Sequence, residues 1–298
     1  MLDEVLDVVD RIPPGVFIDA TVGGASHSEE ILTRRLDIEI VAVDRDHLAL
    51  EAARSRLERF SERVRYFHDS FSSLERIFND ESISSISGFL FDLGVSSPQL
   101  DNADRGFSYR FEGPLDMRMD TRQEETASYL LNNLDRSELQ GIIERNSDER
   151  FAARIAGSIV NNRPIKNTLE LAELVKKAIP AATRRKGGHP AKRTFQAIRM
   201  EVNDEREELI QGVTASIKRL KAEACGMVIS YHSGEDRIAK ELFRNVVTGG
   251  CNCPSKLPCV CGAVTKGQLP HSGLTASKEE IKENRRSKSA RLRVLESL

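Results

Sequence analysis

In its first hundred residues the chain alternates short β-like runs with helical patterns, and this constrains the fold more than anything else in the sequence. Such alternation predicts a parallel sheet flanked by helices. Val16–Ala20 reads as a first strand, followed by the turn Thr21–Ser26 and a helix through Glu29–Leu36. Glu39–Asp44 reads as a second strand, and Ala49, Ala52, Ala53, Leu57 and Phe60 then recur at the three- and four-residue spacing of one buried helix face. Val64–Phe67 is a third strand; Ile86–Leu93, apolar nearly throughout, is a central one covered on both faces.

After Gly94 the texture changes. Residues 103 to 120 are rich in Asp, Arg, Gly and Pro, and the apolar stripes that follow have helical spacing: Leu139, Ile142 and Ile143; Ala152, Ile155 and Ile159; Leu171, Leu174, Val175, Ala178 and Ile179. The β-pattern resumes at Gly226–Tyr231, after a helix marked by Leu209, Val213, Ile217 and Leu220. The expected organisation is therefore an α/β core, residues 1–102 and 196–298, split by an all-helical insertion, residues 103–195.

Composition excludes several classes. No apolar run approaches the roughly 18 residues that span a bilayer. The opening MLDEVLDVVD is acidic where an export signal carries a basic flank, so a cytoplasmic setting and no membrane partner are expected. The net charge of −2 provides no overall attraction to nucleic acid, but basic clusters stand at 184–193 and 282–293. From charge alone a solvated face or mobile loop is the plainer reading of both, with phosphate binding the alternative. Four of the five cysteines fall in Cys251-x-Cys253-x5-Cys259-x-Cys261. A four-thiolate zinc site is chemically open there, though two CxC pairs are tighter than the usual spacing, and no metal is assigned.

The strand ends carry the chemistry. Asp19 to His27 forms a small-residue turn between the first strand and helix, without the GxGxxG of a dinucleotide cradle. Asp44 closes the second strand, where an acid commonly accepts both ribose hydroxyls. The stretch Phe67–Phe71 follows the third strand and Asp92–Gln99 the fourth. A sulfonium nucleoside, S-adenosylmethionine, needs only adenosine and amino-acid contacts, so methyl transfer is the leading reading. A nicotinamide oxidoreductase ranks last.

Several motifs then add a resemblance. DATVGGASHSEEIL, VAVDRD, DSFSSL, FDLGVSSPQLDNADRGFSYRFEGPLDMRMD, HPAKRTFQAIRMEVNDE, ISYHSGEDR and NRRSKSARLR occur in order over nearly the whole chain. Together they resemble the RsmH (MraW) family of bacterial ribosomal-RNA methyltransferases. That resemblance implies a class I S-adenosylmethionine-dependent methyltransferase, with a Rossmann-like, mostly parallel sheet, that methylates the exocyclic N4 of a cytosine in the decoding region of 16S ribosomal RNA. It implies cofactor contacts at Ala25, Ser26, His27, Asp44, Phe71, Asp92 and Gln99, with 16S ribosomal RNA, within the small ribosomal subunit, as partner. Oligomeric state is left open, a homodimer among the options. Ala25 and Ser26 stand where family members usually carry glycine, which restricts the turn's access to positive φ.

Asp92 is the candidate catalytic acceptor, because a carboxylate that hydrogen-bonds the cytosine amine favours a pyramidal nitrogen. The leaving group is a neutral thioether, so the chemistry calls for no metal. Ser96, Ser97, Phe107, Tyr109, His232, Arg184, Arg185 and Arg286 are the candidate RNA contacts. Two readings stay open for Phe107 and Tyr109 with Phe111: lining a base pocket, or packing the insertion against the sheet. Likewise His232 either orients substrate or caps the following helix. The alternatives to this function are a methyltransferase acting on another RNA base or a protein acceptor, and a non-catalytic RNA-binding assembly factor.

Overall fold

The computed structural model describes residues 1–184, 188–251, 253–254 and 260–298. Its chain divides into two compact units, Met1–Gly94 with Arg206–Leu298, and Val95–Glu205. These divisions fall at 94/95 and 205/206, where the sequence predicts 102/103 and 195/196. The shift has a packing cause. Helix 192–202 buries Phe195, Ala197, Ile198 and Val202 in the core of the second unit, and Val95 and Leu100 pack against that same core.

The first unit is built on one sheet. Its strands are β1 (Gly15–Asp19), β2 (Ile38–Asp44), β3 (Val64–His68), β4 (Ile86–Asp92), β5 (Leu220–Ser230), β6 (Gly267–Gln268), β7 (Leu274–Thr275) and β8 (Arg291–Ser297). The order is β3-β2-β1-β4-β5-β8-β6, with β7 also paired to β8. β1 to β5 are mutually parallel; β8 runs antiparallel to β5, β6 and β7. This is the Rossmann-like, mostly parallel sheet expected from the sequence.

Alternating side chains fill the two faces, as the two-residue period of a strand requires. On one face Phe17, Ile40, Leu90, Ile229 and Leu292 meet Val5 and Val9 of α1 (Leu2–Val9) and Ile31 and Leu32 of α2 (Ser26–Arg34). On the other, Ile18, Val41, Phe89, Phe91 and Val228 meet Leu74, Ile77 and Phe78 of α3 (Leu74–Asp80), Leu209 and Val213 of α4 (Glu205–Arg219), and Phe243 of α5 (Ser233–Thr248). β4 is buried along its length up to Asp92, which is why its sequence is apolar throughout rather than alternating.

The second unit is helical. A helix at Arg136–Asn146 packs on those at Ala152–Asn161 and Lys192–Val202, and the Ala152–Asn161 helix packs on Thr168–Ala178. Leu139, Ile142, Ile143, Ile155, Ile159, Leu171 and Val175, the stripes read from the sequence, form its core. Among the described residues no helix is long and apolar enough to cross a membrane.

Candidate functional site

Three carboxylates stand at the carboxyl ends of three adjacent parallel strands: Asp44 on β2, Asp19 on β1 and Asp92 on β4. Parallel strands all end on the same edge, and ligands of open α/β sheets bind in the crevice outside it. Thr21 stitches the edge together, its Oγ1 accepting from the Asp92 N–H at 2.7 Å. The turn then enters α2 through Ala25, whose φ of 58° lies in the left-handed region despite its Cβ. The Ala25 N–H donates to Val22 O at 2.6 Å, and Arg56 donates from Nη1 to Gly24 O at 2.7 Å and to Ser26 Oγ at 2.5 Å. The backbone geometry that glycine would supply freely is thus imposed by neighbours.

Each acid has a different environment. Asp44 accepts the Gly23 N–H at Oδ2 (2.9 Å) and the Asp46 N–H at Oδ1 (2.9 Å). Burial outweighs those two donors, and its pKa is pushed up to about 6. Asp19 is only 2% exposed; it accepts from Ser28 Oγ at 2.6 Å and from the Thr21 N–H at 3.2 Å, which ties the start of α2 to β1. Burial raises its pKa as well, against the Ser28 hydrogen bond and the nearby His27. Asp92 accepts from the Tyr231 hydroxyl at 2.9 Å on Oδ1, while His27 Nδ1 lies 3.9 Å from Oδ2. Its side chain is 27% exposed, so it can be reached. Burial lifts its pKa above the usual carboxylate range, against the pull of His27 and Tyr231. The Tyr231 hydroxyl, half-buried beside that carboxylate, is held as a proton donor by a raised pKa.

The donor set selects a ligand chemistry. Acids converge on this edge, the GxGxxG backbone of a diphosphate cradle is absent from the turn, and Arg56, which reaches it, is engaged by Gly24 O and Ser26 Oγ. A diol is suited to Asp44, and a cationic group to the Asp19–Asp92 end.

A model of the MraW methylase family matches this chain from residue 1 to residue 298. The chain belongs to that family. The Ribosomal RNA small subunit methyltransferase H of Halothermothrix orenii is 46% identical over 302 residues, covering 99% of this chain and 96% of that relative. The proteins of the same name from Pelobacter propionicus and Brevibacillus brevis are 45% and 43% identical over 305 residues, each covering 100% of this chain and 97% and 96% of the relative.

For this member of the MraW methylase family the structure brings together Ala25, Ser26, His27, Asp44 and Asp92 in the first unit. Phe71 lies just past β3, its ring edge-on to Phe91 (centroids 5.3 Å apart) and facing the Arg45 guanidinium at 5.2 Å. Gln99 and Ser96 belong to the second unit and make a capping box: the Gln99 N–H donates to Ser96 Oγ, and the Ser96 N–H to Gln99 Oε1 at 3.0 Å. Ser97 begins the short helix they cap.

His232 takes the capping alternative. Nδ1 accepts from the Glu235 N–H at 3.3 Å, and Nε2 sits 3.0 Å from Glu235 Oε1. Phe107, 5% exposed, belongs to the core of the second unit itself. Tyr109 stacks on His189 with centroids 4.3 Å apart, whereas Phe111 is 47% exposed. Phe107→Ala is therefore expected to destabilise the protein by about 3–5 kcal/mol. Thermal or denaturant unfolding would read this, and a folded variant of unchanged stability with weakened RNA binding would return Phe107 to the base pocket.

Arg184 ends the helix Ala181–Arg184, Arg185 lies outside the described residues, and Arg286 is exposed in the 3-10 turn Arg285–Ser289. Arg293, from the same basic cluster, is buried and donates to both carboxylate oxygens of Asp236, at 2.7 and 2.9 Å. It is a structural side chain.

Two residues escaped the sequence reading. Tyr231 was hidden because an aromatic ending an apolar strand looks like more core; the usable signal is that it directly follows β5, the strand next to Asp92. Glu208 accepts the Ser72 N–H at 3.0 Å and Ser72 Oγ at 2.9 Å, and pairs with buried Arg45 at 3.4 Å. Only the fold brings those positions together.

Proposed function

We propose that this protein transfers a methyl group from S-adenosylmethionine to the exocyclic N4 of a cytosine in the decoding region of 16S ribosomal RNA, in the cytoplasm and on RNA held within the small ribosomal subunit. The observation that carries the reading is full-length similarity, at 42–46% identity, to proteins named for methylation of small-subunit ribosomal RNA. The site residues fit the cofactor: acids for a diol and a cation, and no phosphate cradle. When bound, the sulfonium supplies an electrophilic methyl whose departure leaves a neutral thioether.

The side chains divide the remaining work. Asp44 accepts the ribose hydroxyls, and the Ala25–His27 backbone lines the turn beside them. Phe71 flanks the adenine. A cytosine amine is a weak nucleophile because its lone pair is delocalised into the ring. Asp92 accepts a hydrogen bond from that amine, favours a pyramidal nitrogen and takes up the proton released, a task suited to a carboxylate of raised pKa. Tyr231 fixes the carboxylate by holding Oδ1. In the second unit Ser96, Ser97 and Tyr109, with Arg184 and Arg185, and in the first unit Arg286, are the proposed RNA contacts. Affinity resting on these arginines falls steeply with salt.

The test is isotope transfer. Purified small subunits are incubated with protein and methyl-labelled S-adenosylmethionine, and the RNA is digested to nucleosides. Label in N4-methylcytidine is expected. Label in another nucleoside or in ribosomal protein would support the alternative acceptors, and no transfer with intact RNA binding would support an assembly factor.

A further inference from the structure

We propose that Cys251, Cys253 and Cys261 form a thiolate site for a soft divalent metal, Zn(II) being the candidate, which holds the segment that follows α5 in shape. Their three sulfur atoms lie within 4.8 Å of one another. Tetrahedral zinc thiolates, with Zn–S near 2.3 Å, place sulfurs roughly 3.8 Å apart, so closing on a metal requires movement of about an ångström or less. The backbone already favours the charged sulfur: the Cys253 N–H donates to Cys251 Sγ at 3.4 Å. Two ligands separated by one residue looked too tight from spacing alone, yet the fold turns them toward the third.

The segment needs such a tie. α5 stops at Gly249, in the left-handed region, and the chain returns over that point at Val264; a Cβ on Gly249 would lie 2.4 Å from Val264 O. The Lys266 N–H donates to Val246 O at 3.2 Å, so the neck is closed. Between Cys251 and Lys266 none of the described residues is buried, and Val260 and Val264 are exposed. Those described residues, without apolar burial, gain little from packing, and a cross-link through sulfur supplies what the core does not. On binding, each thiol releases its proton to solvent and donates a sulfur lone pair to the metal, with no change of oxidation state, so affinity falls with acid. Cys259 lies outside the described residues and is given no role. The proposal is independent of the methyl-transfer reading, since its readout is metal content and spectra.

Full-length protein is purified under reducing conditions without chelator and assayed for zinc, then stripped and titrated with Zn(II) against a chromophoric competitor and with Co(II). One tightly held zinc per chain is expected, with sulfur-to-cobalt charge-transfer bands and the intense visible bands of tetrahedral Co(II). Cys253→Ser and Cys261→Ser should each weaken zinc binding by at least about 100-fold, and Cys225→Ala, buried in β5, should leave it unchanged. A zinc content near zero after loading, a cobalt spectrum without thiolate bands, or undiminished affinity in Cys253→Ser would overturn the proposal. The cobalt spectrum of the unsubstituted protein carries the test even where a variant fails to fold.

Discussion

Asp92→Asn is expected to lower methyl transfer to small subunits by about 100- to 1,000-fold at saturating S-adenosylmethionine. The asparagine keeps an oxygen for the Tyr231 hydroxyl, so the fold and the neighbouring turn persist. What disappears is the negative charge that polarises the amine and the group that takes its proton. Single-turnover kinetics with calorimetric measurement of cofactor binding separates the two effects. Unchanged turnover would remove Asp92 from the chemistry; a large loss confined to cofactor affinity would assign it to the cofactor alone. Tyr231→Phe, which frees the carboxylate to rotate, should cost about tenfold in turnover and shift the acid limb of its pH profile, as a positioning role requires.

Asp44→Asn is expected to weaken S-adenosylmethionine binding by about 100-fold, because it removes the charge from two hydrogen bonds, each worth about 1.5–3 kcal/mol. An acid whose folded pKa is about 6 binds more protons folded than unfolded, so between its ordinary value and pH 6 stability falls as pH rises. Above pH 6 the parent therefore carries a charge that burial disfavours. Cofactor affinity has the opposite slope: hydroxyls donating to the carboxylate favour its ionised form, so affinity is full above pH 6 and weaker by about tenfold at pH 5. Calorimetric titrations at pH 5 and 7 read this directly. A flat profile in the parent would mean that the ribose does not engage Asp44.

The sheet was legible because its strands are central and parallel, and burial on both faces writes itself as runs such as Ile86–Asp92. The edge was not. β6 and β7 have two residues each, and β8 alternates Arg291, Leu292, Arg293 and Val294, so its arginines read as a basic cluster until pairing with β5 buried one of them against Asp236. At the site, Asp44 and Asp92 were readable as acids ending apolar strands. The His232 cap was ambiguous because helix capping and substrate orientation use the same residue types at the same place. Phe107 was ambiguous for a similar reason: an aromatic in a polar, Gly-rich stretch looks exposed, and only the tertiary core shows what covers it.

The most direct measurement is a crystal structure of the protein with S-adenosylmethionine. The adenosine should lie across the ends of β1, β2 and β4, with both ribose hydroxyls on the Asp44 carboxylate and the methyl group facing the same opening as Asp92 Oδ2. Density for the cofactor elsewhere, or a ribose turned away from Asp44, would contradict the account.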